Sequence, residues 1–210
     1  HMKLFTEGPT KQKRLKADVT RTHIQMIYAM PMKDVQFVPS LDEELQAALN
    51  FEKSATGDTI DIWLSNFQRD SLVFSIMDGM NNVDEYTARF PKKVQGSSRG
   101  GHTEIKPQLS VNIVKGAKKD PLSPLMIHCS DPINGMDKSR IMLMQGKDTL
   151  RTAIDKKGWH DLELQARMLQ DSTYTLFILP GAITAWSGKT NDTLKQAFTV
   201  ENEENYSALK

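Results

Sequence analysis

Apolar positions in this chain mostly recur with a strand period, interrupted by polar turns. Between Ala17 and Met30, Val19, Ile24, Met26, Ile27 and Tyr28 stand among threonines and His23 in an imperfect alternation. This predicts a strand, ended by Pro31, which cannot donate to a ladder. Ile60, Ile62 and Leu64 alternate with Asp61 and Trp63, and Leu72 to Met77 forms a further apolar run. The turn-like Gln68-Arg69-Asp70 between them predicts a hairpin, with a buried helix from Ser71 as the rival. The second half carries six candidate strands: Leu109 to Val114, Leu125 to Cys129, Arg140 to Met144, Leu150 to Ile154, Asp161 to Met168 and Tyr174 to Leu179. Turn chemistry separates them at Asp120-Pro121, Asn134-Gly135, Gly146-Lys147 and Lys157-Gly158.

One stretch switches to a helical period. Leu41, Leu45, Ala48 and Leu49 fall on one face, Ser40 and Glu43 have capping-box spacing, and Asp42, Glu43 and Glu44 suit the positive end of a helix dipole. These signals predict a helix over 41–52. Val83 to Phe90 and Leu194 to Phe198 read as shorter helices. The expected class is therefore α+β: a mainly antiparallel sheet, sandwich or barrel-like, with the 41–52 helix packed against it. The expected organisation is a flexible basic arm over 1–16 and a single globular β-rich domain over 17–187. A flexible basic loop over 91–107 lies within that domain, and a polar tail follows over 188–210. His1-Met2 reads as the remnant of a cleaved tag.

Composition narrows the class further. A chain of 210 residues can bury a core without disulfides or metals, and its single cysteine, Cys129, permits no intrachain bridge. No apolar run approaches the ~20 residues that span a bilayer as a helix. The 11 methionines suit an irregular core or an adaptable contact surface.

Candidate chemistry is sparse. His102-Thr103-Glu104 offers two metal ligands from an extended segment, without a marked third. His128 and Cys129 are adjacent, and adjacent strand residues point to opposite faces, so they form no direct dyad. Asp131, Asn134 and Asp137 lack the order of a calcium loop and read as turn residues. Gly96-Ser97-Ser98-Arg99-Gly100-Gly101 lacks the ending of a phosphate-binding loop. Sequons stand at Asn191 and Asn205. No metal and no cofactor is expected.

Charge supplies the one remaining constellation. The formal net charge is only +1, but residues 3–22 hold six Lys/Arg against two acids, and residues 89–106 hold five against one. Lys11, Lys13, Arg14, Lys16, Lys92, Lys93 and Arg99 are the candidate polyanion-binding residues; they suit phosphate backbones or an anionic membrane surface. Few aromatics accompany them, so no base-stacking platform is indicated. The preferred function is a non-catalytic structural or interaction protein, acting within an assembly through strand edges, arm and loops. The expected partner is another protein or a second copy. The alternatives are electrostatic binding to nucleic acid or a membrane surface, and an enzyme whose site assembles in space around His128 or His160.

Overall fold

A computed structural model describes residues 11–92, 106–113 and 118–202. The chain forms two compact units, residues 1–101 and 102–210, each with its own buried core. This corrects the single domain expected over 17–187. The boundary falls inside the polar 91–107 stretch.

The first unit contains, in chain order, β1 (Arg14–Val19), β2 (His23–Tyr28), β3 (Val35–Pro39), α1 (Glu43–Gln46), β4 (Leu49–Lys53), β5 (Thr59–Leu64), β6 (Ser71–Asp78) and β7 (Asn81–Arg89). One antiparallel sheet has the order β1-β2-β5-β4 and the other β3-β6-β7. Alternate residues of the central strands face inward: Ile24, Met26 and Tyr28 from β2, Ile60, Ile62 and Leu64 from β5, Leu72, Phe74 and Ile76 from β6. They form one cluster that both sheets share. This strand order is that of a constant-type immunoglobulin sandwich. Arg14 joins β1 to β7: its Nη1 lies 2.6 Å from Asp84 Oδ2, its guanidinium sits 4.2 Å from the Tyr86 ring centroid, and Tyr28 Oη donates to the same carboxylate at 2.9 Å. Burial, then the Asp84 charge, raises the Tyr28 phenol well above its ordinary range. Gly57 has φ +77°, and a Cβ there would sit 2.7 Å from the Met32 carbonyl oxygen, so that turn requires glycine.

The second unit contains β8 (Leu109–Val111), β9 (Leu125–Cys129), β10 (Ile133–Met136), β11 (Ile141–Gln145), β12 (Asp148–Thr149), β13 (Thr152–Lys157), β14 (Asp161–Ala166), β15 (Thr173–Ile178), β16 (Ile183–Ala185) and β17 (Leu194–Thr199). The sheets run β13-β14-β9-β8 and β12-β11-β15-β17, with β10 and β16 forming a separate ribbon. The order is again of immunoglobulin type, with a short extra edge strand. Tyr174, near the start of β15, is 1% exposed and its Oη accepts from the Leu169 N–H at 2.7 Å. That is a tyrosine corner. Two residues on, where antibody domains place the second cysteine of their inter-sheet bridge, stands Leu176.

Several expectations are corrected. The 41–52 helix shrinks to the single turn α1, whose N-cap is Asp42 and not Ser40. The Ser40 N–H is already bonded to the Val73 carbonyl. Residues 49–53 become β4, because pairing with β5 places Leu49 and Phe51 opposite Leu64 and Ile62. Cross-sheet packing outweighs the helical spacing there. Val83 to Phe90 and Leu194 to Phe198 also contribute strands, β7 and β17, so the 188–210 tail begins with sheet. The basic arm ends in the ladder, with Arg14 and Lys16 in β1. Nor do the runs at 60–64 and 72–77 pair with each other, since β5 and β6 belong to opposite sheets. Most of the flexible arm expected over 1–16 and of the flexible loop expected over 91–107 lies outside the described residues.

Candidate functional site

Three connections of the second unit meet at one end: 130–140, the 157–160 turn and 179–193. The Ile133 N–H donates to the Trp159 carbonyl at 2.6 Å, the Trp186 N–H to the Pro132 carbonyl at 2.7 Å, and the Cys129 N–H to the His160 carbonyl at 2.9 Å. The β10–β16 ribbon ties the first and third together. Asn191 holds the third from inside. At 1% exposure it accepts from the Ile183 N–H at 2.7 Å and donates to the carbonyls of Leu179 at 3.0 Å and Asp192 at 2.7 Å. A side chain so enclosed cannot carry a glycan in the folded protein, which removes the Asn191 sequon from consideration.

This frame displays aromatic rings. Trp159 is 46% exposed, sits edge-on to Trp186 at a centroid distance of 5.9 Å, and takes the Lys156 ammonium on its ring at 4.9 Å. Lys156 Nζ also bonds to the Ile133 carbonyl. His160 and His128 stack at 5.7 Å. His160 Nδ1 meets the Cys129 carbonyl at 2.8 Å; a carbonyl only accepts, so this nitrogen carries the proton. His128 Nδ1 lies 2.9 Å from Asp161 Oδ1. The structure thus brings His128 and His160 together, but the neighbouring thiol serves neither. Cys129 is fully buried on the core side of β9, and burial raises its pKa to about 11. Among the described residues, no three His, Cys, Asp or Glu groups are gathered to hold a metal ion. His102 and Glu104 lie outside them.

Among the described polyanion candidates, two are held in ion pairs. Arg14 is committed to Asp84, and Lys16 pairs with Asp18 at 2.5 Å. Lys11, Lys13 and Lys92 are exposed, while Lys93 and Arg99 lie outside the described residues. Another polar cluster occupies the outer face of β2, β5 and β4: His23 stacks on Trp63 at 3.9 Å and bonds Asp61 at 2.8 Å, and Trp63 Nε1 donates to Glu52 at 3.2 Å. Its members satisfy one another, so it reads as a sheet-face brace. Sequence reasoning missed Trp159, Trp186 and Lys156, and reads Asn191 only as a sequon. The one available signal was a tryptophan directly after the Lys157-Gly158 turn.

No family model matches this chain, and no curated protein matches it. Solved structures give faint similarities. Dpr2 Ig1-Ig2, from a complex with DIP-Theta Ig1-Ig3, shares 10% identity over 91% of this chain and 99% of that one, at a TM-score of 0.29. A titin fragment shares 8% over 90% and 97%, at 0.30. Domains 5-6 of the S-layer protein SbsC share 9% over 91% and 100%, also at 0.30. The sandwich class of each unit follows from its own strand order. No helix among the described residues is long and apolar enough to cross a membrane.

Proposed function

We propose that this chain is a non-catalytic interaction protein, and that its docking surface for a protein partner is the loop end of the second unit. The carrying observation is Trp159. A half-exposed tryptophan costs hydration, yet here it is buttressed by Lys156 of β13 and by Trp186, on a loop pinned by backbone hydrogen bonds. Rigid, amphipathic aromatic side chains of this kind anchor protein interfaces, because they bury much area for little lost entropy. Lys156, His128 and Asp161 supply a polar rim around it. Open strand edges, such as β13 and β17, are a secondary means of association.

Placing a photoreactive phenylalanine analogue at position 159, with position 80 of the first unit as control, tests this. Met80 is 98% exposed and so at least as accessible as Trp159. The expected result is a discrete cross-linked species from 159 only, competed by excess wild-type chain and not by Trp159→Ala. Equal products from both positions, or none that wild type competes, would reject the reading.

Electrostatic binding of polyanions is the second reading, carried by exposed Lys11, Lys13 and Lys92. Its signature is sequence-independent binding whose affinity falls steeply with salt.

A further inference from the structure

The hairpin that presents Trp159 at its turn has a second feature at its open end. The ladder between β13 and β14 closes with Ala153 opposite Gln165 and Thr152 opposite Ala166. Continuing the register by one residue places Arg151 opposite Arg167. Ile154 and Leu164 point into the core, so Arg151, Ala153, Gln165 and Arg167 share the outer face. Together with Thr152 and Ala166 they line an open cleft of about 380 Å³. The small side chain of Ala153 leaves the space between the long ones unfilled.

Two arginines flanking the last pair of the ladder and lining one opening are an unfavourable combination, because neighbouring like charges repel. Both are exposed, and neither has an ion pair or hydrogen bond among the described residues. Further along the same outer face Lys157 pairs with Glu163 at 3.1 Å, and the Gln165 amide donates to the same carboxylate at 2.5 Å. The charge on the two guanidinium groups is therefore uncompensated beside the open cleft that both line.

We propose that this cleft binds a phosphate group, as a phosphomonoester or free phosphate, between Arg151 and Arg167. Each guanidinium offers a planar fork of N–H donors, and two forks match the oxygens and double negative charge of a phosphate dianion better than a single carboxylate. The cleft is open to solvent, so an organic body carrying the phosphate can extend outward from it. The site is independent of the Trp159 surface, which lies at the opposite end of the same hairpin.

The test is amide NMR titration of the full chain, at about 0.15 M NaCl, where diffuse attraction is largely screened. The ligands are inorganic phosphate and phenyl phosphate, with benzoate as the monoanionic control. Saturable shifts at 151–153 and 165–167 are expected with both phosphates, with phenyl phosphate at least as tight. Arg151→Gln and Arg167→Gln should each weaken binding tenfold or more, and Lys92→Gln less than twofold. Binding of inorganic phosphate but not phenyl phosphate would restrict the site to the free ion and overturn the phosphomonoester part. Unsaturable shifts spread over the surface lysines, benzoate binding as tightly as phosphate, or no response would overturn the whole proposal. Thermal melting provides a second check. In phosphate-free buffer either arginine variant should melt no lower than wild type, because repulsion is relieved, and the rise that phosphate gives wild type should disappear. Variants that melt lower and keep that rise would show the arginines to be structural.

Discussion

Replacing Asn191 with alanine should unfasten the loop end of the second unit. The substitution deletes three side-chain hydrogen bonds at a site 1% exposed. Their losses are unequal. The Leu179 carbonyl keeps the Ala182 N–H as a partner at 3.1 Å, and Asp192 lies at the surface, so water can replace the amide there. The Ile183 N–H has no such recourse: Ile183 is fully buried, and its donor would be left unpaired. An orphaned buried donor costs about 1–3 kcal/mol, and a net hydrogen bond about 1 kcal/mol. The expected loss is about 2–4 kcal/mol. Asn191→Asp sharpens the test. It preserves the acceptor for Ile183 but sets a buried carboxylate against two carbonyl oxygens. Its folded-state pKa is then raised, so its destabilisation should be largest at neutral pH and shrink as pH falls and the carboxyl protonates. Hydrogen-exchange mass spectrometry in a urea series assigns the loss to residues 125–200 rather than to the other unit, which need not unfold in the same transition. A loss below about 0.5 kcal/mol for Asn191→Ala, or an Asp variant indifferent to acid, would refute this account of the bracket.

Other expectations follow from the same structure. Cys129 should resist thiol reagents until the second unit unfolds. Because burial raises its pKa from 9.0 to about 11, the unfolded chain ionises first, and stability should fall by about 1.4 kcal/mol per pH unit between those values, a slope that Cys129→Ser abolishes. Tyr28→Phe removes a hydrogen bond to the Asp84 carboxylate and should cost about 1.5–3 kcal/mol in urea unfolding of the first unit. Leu45→Ala should cost less than about 1 kcal/mol, since Leu45 stands outside the buried cluster, whereas Phe74→Ala should cost about 3–5 kcal/mol.

The central strands of both units are legible in the sequence, because a face buried against a second sheet imposes a period of two, whereas β3, β10 and β16 leave no such signal and β4, β7 and β17 read as helix. The positions Ile60, Ile62 and Leu64, or Leu162 and Leu164, give themselves away locally. The helix over 41–52 did not survive because its signals were real but local. Asp42, Glu43 and Glu44 do start a helical turn, and the ladder to β5 then claims Leu49 and Phe51. The boundary between the units was hidden for the opposite reason: both carry the same alternation, so periodicity does not change across it. The site was the least legible part. Trp159 becomes a displayed residue only when the β13–β14 turn is set beside Trp186, and Asn191 becomes a bracket only when β16 folds back over it. Both depend on contacts between residues distant in sequence. Arg14 shows the converse, a residue of a promising basic cluster that the fold consumes in an ion pair across the sandwich edge.

The most direct measurement is the affinity of the full chain for the species captured at position 159, compared with that of Trp159→Ala and Met80→Ala. Trp159 as a docking anchor predicts a loss of about 30-fold or more for Trp159→Ala, the scale of an interface hot spot, with Met80→Ala unchanged. Losses under about threefold at Trp159, or equal losses at both positions, would contradict it.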